Sequence, residues 1–182
     1  MATTRYVGLL RGINVGGRNK IAMADLRRVF EDHGCRNVST YIQSGNVLFE
    51  SDAPRAELES GLELLLEQHL ESAPVVVVRT HRQLQGIIAK APAGFGEQPK
   101  TYHSDCIFRK DPLTPAKAMR VVSLRDGVDE AWTGPGVLYF ARLSAQRTKS
   151  RMGKIVGTDE YASMTIRSWQ TTTKLLALLD EY

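Results

Sequence analysis

The sequence lacks the features of a secreted disulfide scaffold and of a membrane protein. Its 182 residues include two cysteines, Cys35 and Cys106, without the C-x-x-C spacing of a zinc or redox site. No stretch approaches the ~18 apolar residues that a membrane helix needs, and residues 1–6 hold no apolar segment. We therefore expect buried thiols, no metal site, no membrane association and a cytoplasmic location.

Common catalytic and nucleotide-binding signatures are missing as well. Lys20 lies beyond Gly17 without the spacing of a Walker A loop, and the dinucleotide pattern G-x-G-x-x-G does not occur. His103, Asp105 and Cys106 are close in sequence, but alternation along a strand places Cys106 on the opposite face. The sequence therefore leaves the reaction type, the catalytic residues and any cofactor unknown, and whether the protein is an enzyme stays open.

Positive charge is concentrated in two segments. The formal net charge is +4, with +4 in residues 1–20, −3 in residues 21–141, +4 in residues 142–167 and −1 in the remainder. Such an asymmetry indicates anionic partners, although a charged segment is also often only a solvated surface.

Hydrophobic periodicity predicts a β-α-β-β-α-β order for residues 1–80, the pattern of a ferredoxin-like half in an α+β protein. In the second predicted helix, leucines form the apolar stripe and the glutamates occupy the solvated side. The predicted elements are a strand at 6–10, a helix from Met23 to Gly34, strands at 38–42 and 47–50, a helix from Pro54 and a strand at 75–78.

For residues 81–182 the sequence pattern predicts a second, related α+β half that forms one compact unit with the first. It carries the basic segment and ends in a C-terminal helix from Trp169 whose apolar residues recur at three- and four-residue steps. The other expected elements are helices around 84–91 and from Pro115, a strand at 102–109 and a hairpin of 128–132 with 137–143.

Two motifs near the N-terminus carry a resemblance to a known family. Residues 11–20 read Arg-Gly-Ile-Asn-Val-Gly-Gly-Arg-Asn-Lys, and residues 41–46 read Tyr-Ile-Gln-Ser-Gly-Asn. With Ser150-Arg151 and Thr165-Ile166-Arg167, they make the chain similar to the bacterial domain of unknown function 1697 (DUF1697). The resemblance implies an α+β fold of two related halves and no established activity. Ser168 and Gln170 depart from the family pattern, which has asparagine at both positions.

The first motif has the chemistry of an anion-binding loop. Glycines lack a Cβ, so backbone amides can approach a phosphate or carboxylate closely, and the following helix N-terminus adds partial positive charge. In the alternative, the glycines only make a tight crossover and an asparagine satisfies backbone groups. The candidate ligand-binding residues are Arg11, Asn14, Gly16, Gly17, Asn19 and Lys20.

The second motif offers side-chain amides and a hydroxyl for a polar ligand, or for hydrogen bonds within the turn itself. The candidates are Gln43, Ser44 and Asn46.

The third group lies in the C-terminal basic segment. Helical spacing of Ser150, Arg151 and Lys154 predicts one cationic edge. The planar guanidinium of Arg167 is a candidate to bind a phosphate through two N–H groups, or to stack on the ring of Trp169.

The favoured function is the binding of a small anionic ligand, phosphorylated or nucleotide-like, where these three groups converge. The alternative is a nucleic-acid-binding module with Trp132, Tyr139 or Phe140 as stacking residues. A third interpretation is a structural or interaction protein whose motifs only hold its two halves together. The sequence does not predict an oligomeric state.

Overall fold

A computed structural model describes residues 3–43 and 45–182 of the chain. The chain forms two units, of which the first reaches to Leu84 and includes Leu175–Tyr182, and the second is Gln85–Lys174. The boundary thus falls after Leu84, and the last residues belong to the first unit. The division near residue 80 expected from the sequence assigned the whole C-terminal helix to the second half.

The first unit contains the strands and helices in the predicted order. They are β1 (Thr4–Arg11), α1 (Met23–Asp32), β2 (Arg36–Tyr41), β3 (Asn46–Ser51), α2 (Arg55–Glu67) and β4 (Val75–Thr80). The sheet order is β2-β3-β1-β4, and β1 pairs antiparallel with both of its neighbours. This arrangement confirms the predicted ferredoxin-like half.

The core of the first unit lies between the sheet and its two helices. Phe30 of α1 meets the ring of Phe49 of β3 edge-on at 5.2 Å. Burying one such apolar side chain contributes roughly 1.5–3 kcal/mol, so these helices are stabilised by packing more than by intrinsic propensity. The residues that α1 and α2 bury at three- and four-residue spacing include Leu26, Val29, Phe30, Leu58, Leu62 and Leu66.

Two glutamates of α2 cover the outer edge of β4. Glu59 Oε1 accepts the backbone N–H of Val78 at 2.9 Å, and Glu63 Oε1 accepts that of Val76 at 2.9 Å. Glu59 is 4% exposed and lies 3.8 Å from the guanidinium of buried Arg79. The expectation of solvated glutamates is therefore wrong for Glu59, because the unpaired amides of an edge strand need acceptors.

The second unit repeats the strand order of the first. Its sheet has the order β6-β7-β5-β8, which corresponds strand for strand to β2-β3-β1-β4. Three 3-10 helices, Ser144–Lys149, Met152–Gly157 and Asp159–Ser163, occupy the place in the chain that α2 has in the first half. The strands and the short helix of this unit are β5 (Tyr102–Arg109), α4 (Pro115–Arg120), β6 (Asp129–Gly134), β7 (Val137–Leu143) and β8 (Met164–Ser168). Two more helices, α3 (His81–Ala89) and α5 (Trp169–Asp180), are each divided between the two units. The prediction of an α+β fold with a related second half is confirmed.

The second sheet buries a different kind of cluster on each face. Ile107, Leu138 and Phe140 belong to a largely aliphatic core that includes residues of α4 and of the 3-10 helices. Alternation along β7 turns Tyr139 to the opposite face, where its ring meets Phe95 edge-on at 5.3 Å. Both faces of this sheet are therefore used for packing.

Across residues 3–43 and 45–182, no helix combines the length and the apolar character that a transmembrane span requires.

We expect Glu59→Ala to lower the free energy of unfolding by about 2–4 kcal/mol, because it leaves the amide of Val78 unpaired and removes a carboxylate from beside Arg79. Urea denaturation followed by circular dichroism measures this loss. Glu67→Ala, at an exposed position of the same helix, should change the value by less than about 0.5 kcal/mol. Equal effects of the two substitutions would contradict a structural role for Glu59.

Both thiols should be unreactive in the folded protein. Burial raises the pKa of Cys35 to about 11 and that of Cys106 to about 12, and the thiolate is the reactive form. An aromatic disulfide reagent at about pH 8 should therefore label neither thiol quickly, and should label both after unfolding in urea. Rapid labelling of one thiol in the native protein would contradict its burial.

Candidate functional site

The loop between β1 and α1 is built around a tight turn at Val15–Arg18. The N–H of Arg18 donates to the carbonyl of Val15 at 3.0 Å, and φ is +58° at Gly16 and +78° at Gly17. Positive φ at both central residues defines a type I′ turn, which glycine adopts without steric cost. The first task of the two glycines is thus to close this turn, which projects to solvent.

Asn14 joins the start of the loop to its end. Its Oδ1 accepts the backbone N–H of Ile21 at 2.9 Å, and its Nδ2 donates to the carbonyl of Ile21 at 3.1 Å. This reciprocal pair imitates the bonding of two strands. The structure therefore gives the side-chain amide of Asn14 a role in loop architecture.

Asn19 is the buried anchor of the loop, with 6% of its surface exposed. Its Nδ2 lies 2.8 Å from the carbonyl of Gly12 and 2.9 Å from Oγ of Ser72, and its Oδ1 accepts the N–H of Ser72 at 3.1 Å. The hydrogen bonds of the Asn19 side-chain amide thus hold the loop to the segment before β4. Arg18 and Lys20, on either side of Asn19, are exposed.

The turn between β2 and β3 packs against the beginning of this loop. The carbonyl of Gly45 accepts the N–H of Leu10 at 2.8 Å, and a Cβ at Gly45 would lie 2.9 Å from Cβ of Leu10. Gln43 is exposed, whereas Asn46 is fully buried and donates from Nδ2 to the carbonyl of Tyr41 at 3.1 Å. The structure brings the first two motifs together, and Ser44 lies outside the described residues.

A shallow cavity of about 390 Å³ lies between the glycine loop and the N-terminus of α1. Ala22 occupies the N-cap position and makes no side-chain hydrogen bond to the first turn of the helix. The lining residues are Asn14, Gly17, Lys20, Ile21 and Ala22. An uncapped helix N-terminus presents backbone N–H groups, and here a lysine stands beside them.

Arg11 lies at the end of β1, where it is half-buried and opposite Val75 of β4. Removing its side chain therefore perturbs the strand end as well as any ligand contact. Lys20 is the more selective position for a test of binding.

The basic segment of the second unit matches the predicted helical edge only in part. Arg151 is the N-cap of the 3-10 helix Met152–Gly157, and its carbonyl accepts the N–H of Lys154 at 3.0 Å, whereas Ser150 precedes that turn. Ser150 Oγ accepts the N–H of Met152 at 3.2 Å, and the backbone N–H of Arg151 donates to Asp129 Oδ2 at 2.8 Å. The side chains of Arg151 and Lys154 remain exposed.

Arg167 is buried in the second unit, with 8% of its surface exposed. Its Nη1 donates to Oγ1 of Thr165 at 2.8 Å and to the carbonyl of Ile166 at 2.9 Å. Burial lowers the pKa of Arg167 to about 10. These contacts are with its own strand, so the guanidinium takes part in the structure of β8.

The predicted site residues fall into different units. The glycine loop and the turn at Gln43 belong to the first unit, whereas Ser150, Arg151, Lys154 and Arg167 belong to the second. Convergence of the two sets on one ligand stays a prediction.

Asp105 and its neighbours form a charged cluster on β5. His103 Nε2 lies 3.2 Å from Asp105 Oδ1, and Arg142 Nη2 lies 3.4 Å from Asp105 Oδ2. Burial raises the pKa of Asp105, while the nearby His103 and Arg142 oppose the shift.

Cys106 lies on the opposite face of the strand and is hydrogen-bonded to Thr172, and its raised pKa keeps the thiol protonated. A Cys-His dyad is not formed, and no group of three potential metal ligands occurs among residues 3–43 and 45–182.

The family comparison agrees with the motifs of the first unit. The family described as Protein of unknown function (DUF1697) matches residues 3–139. The chain belongs to this family. The match includes the glycine loop and the turn at Gln43, and it ends before Ser150.

Solved structures add the fold but no activity. The conserved bacterial protein SP0830 from Streptococcus pneumoniae is 26% identical, with a TM-score of 0.80 over 98% of this chain and 99% of that chain. An unknown protein from Galdieria sulphuraria is 14% identical over 99% of this chain and 93% of that chain, and its TM-score of 0.27 carries no argument. No curated protein matches the chain.

Sequence reasoning missed two parts of the surface. Ile21 and Ala22 line the cavity of the DUF1697 loop but were not among the predicted residues, because their side chains have no polar group that marks a site. A cavity of the second unit, among Gly96, Ser104 and Trp169, was not predicted at all. Its residues come from three separate segments that share no motif.

Asn19→Ala should lower the free energy of unfolding by about 1–3 kcal/mol, because buried groups of the loop and of Ser72 lose their partners. Urea denaturation measures the change. Lys20→Ala, the neighbouring exposed residue, should alter it by less than about 0.5 kcal/mol. A stability of Asn19→Ala equal to that of the parent protein would show that its amide does not anchor the loop.

Proposed function

We propose that this DUF1697 protein binds a small phosphorylated or nucleotide-like anion at the N-terminus of α1. The observation that carries the proposal is the cavity in which Lys20 stands beside a helix start without a side-chain cap. Backbone N–H groups and the helix dipole favour an anion there by about 0.3–1 kcal/mol, and a lysine ammonium adds a full charge.

The charge balance of the loop supports an anion. Residues 11–22 contain Arg11, Arg18 and Lys20 and no acidic residue. The first turn of α1 holds one carboxylate, Asp25, which lies 3.5 Å from the guanidinium of Arg28. The local excess is therefore positive.

Comparison of the two halves also supports the proposal. In the second unit α4 follows β5 as α1 follows β1, and Thr114 caps it by accepting the N–H of Lys117 at 3.3 Å. The first unit has Ala22 at the corresponding N-cap. A ligand oxygen can take the place of the missing cap.

The structure bears differently on the two alternatives. Tyr139 and Phe140 are fully buried, which removes them as stacking surfaces for RNA bases, and Trp132 is half-buried. Asn14 and Asn19 do serve the loop architecture, as a structural interpretation requires. Because the asparagines bond within the loop, the groups that would contact a ligand are Gly17, Lys20 and the backbone at the start of α1.

The most selective test is Ala22→Asp. The φ of −67° and ψ of 145° at Ala22 suit a capping residue, so the new carboxylate should bond the first-turn amides. We expect stability to rise by about 0.5–2 kcal/mol while affinity for phosphate anions falls at least tenfold. Calorimetric titration with inorganic phosphate, adenosine monophosphate and glucose 6-phosphate measures affinity, and thermal unfolding measures stability.

Two further variants serve as comparison and control. Lys20→Ala should weaken binding without changing the melting temperature, and Lys90→Ala, an exposed lysine of the second unit, should leave binding intact. Unchanged anion affinity in both Ala22→Asp and Lys20→Ala would refute the site.

The same titration tests whether the basic segment contributes. If Arg151→Ala and Lys154→Ala weaken binding as strongly as Lys20→Ala, the two sets of residues share one ligand. Binding of short RNA that falls steeply with salt, without binding of mononucleotides, would favour the nucleic-acid alternative.

A further inference from the structure

The second unit contains a cavity between the start of β5 and the start of α5. Its volume of about 480 Å³ is within the range of small-molecule sites. Tyr102 and Ser104 of β5, Trp169 of α5 and Gly96 of the preceding loop line it. A neighbouring cavity of about 190 Å³ shares Gly96, Tyr102 and Ser104 and extends to Trp132.

Ser104 is the unusual polar group of this cavity wall. Its side chain is 7% exposed, and its Oγ has no hydrogen-bond partner among the described residues. Native proteins rarely leave a buried hydroxyl unpaired. Ser104 lines both cavities, and its Oγ is itself shielded, so a rotation of the side chain about its Cα–Cβ bond would bring the hydroxyl to a ligand in either one.

The aromatic side chains around the cavity are held in fixed positions. A Cβ at Gly96 would lie 2.0 Å from Cδ1 of Trp169, so the absence of a side chain there lets the indole pack against the loop. Phe95 meets Trp169 edge-on at 5.1 Å and Trp132 edge-on at 6.0 Å. Such rigid rings offer surface for a planar group at little entropic cost.

The polar groups of the cavity suit a neutral ligand. None of the described residues that line it is a lysine or an arginine, and the lining histidine, His103, already has a carboxylate partner in Asp105 at 3.2 Å, so a phosphate finds no unpaired positive charge. Gln170 is exposed at the rim and offers two donors and one acceptor, and the hydroxyl of Ser104 can donate or accept. Aromatic surface with mixed donors and acceptors is the pattern that recognises the edge and face of a heterocyclic base.

We propose that this cavity binds the ring of a nucleobase or a similar neutral heterocycle. Trp169 provides the aromatic contact, and Ser104 and Gln170 provide hydrogen bonds to the ring edge. The proposal does not rest on the anion site of the first unit, with which it shares no residue.

The chain itself supplies the probe. It has two tryptophans, Trp132 and Trp169, and each lines one of the two cavities. The full-length protein is titrated with adenosine, guanosine, cytidine and uridine, followed by tryptophan fluorescence and by the indole N–H signals in NMR, which Trp132→Phe assigns. We expect a saturable change with at least one nucleoside, with a Kd below about 1 mM, and a shift of the Trp169 signal.

Two substitutions separate specific binding from misfolding. Ser104→Ala removes an unpaired hydroxyl, so the melting temperature should stay the same or rise while the nucleoside Kd increases about three- to tenfold. Gln170→Ala should also raise the Kd, whereas Gln85→Ala, an exposed glutamine of α3 outside both cavities, should not.

The proposal is overturned if no nucleoside gives a saturable change up to about 10 mM. It is also overturned if binding occurs with equal affinity in Ser104→Ala and Gln170→Ala. Because nucleosides carry no phosphate, either result is independent of the Ala22→Asp experiment.

Discussion

The structure depends on one constraint, that buried backbone N–H and C=O groups must find hydrogen-bond partners. In each unit an interior strand, β1 or β5, is bonded on both sides. Where pairing ends, side chains replace it. Glu59 and Glu63 serve the edge of β4, and Asn14 and Asn19 serve the loop after β1.

The two halves satisfy this constraint with the same topology and different connections. In both, a backbone N–H near the end of the first strand donates to the carbonyl of the glycine in the β-hairpin turn. Leu10 donates to Gly45 at 2.8 Å, and Arg109 donates to Gly136 at 3.1 Å. The halves differ in the connection from this strand to the next helix. The first half continues into the glycine loop and an uncapped helix, and the second into a helix that Thr114 caps.

These differences are the basis of the two binding proposals, one for each unit. The first unit exposes cationic side chains and backbone donors around α1, which suits an anion. The second unit encloses an aromatic cavity with an unpaired hydroxyl, which suits a neutral ring. Both surfaces lie where a regular element begins, because backbone and side-chain groups there are not fully used by the sheet or the helix.

The sequence by itself determined the regular elements whose apolar residues repeat locally, from β1 through the hairpin of β6 and β7 to α5. It did not predict β8, which is five residues long and gains its strand character by pairing with β5. It identified the motifs around Asn14 and Gln43, but their contact through Leu10 and Gly45 came only with the fold.

Tertiary structure alone decided which faces meet. Local periodicity marks a surface as apolar or polar, but it does not state which distant segment will lie against it. The burial of Glu59 therefore followed from the position of β4, and the cavity around Ser104 followed from Gly96 admitting the ring of Trp169. Contacts between residues far apart in sequence have no local pattern from which they can be read.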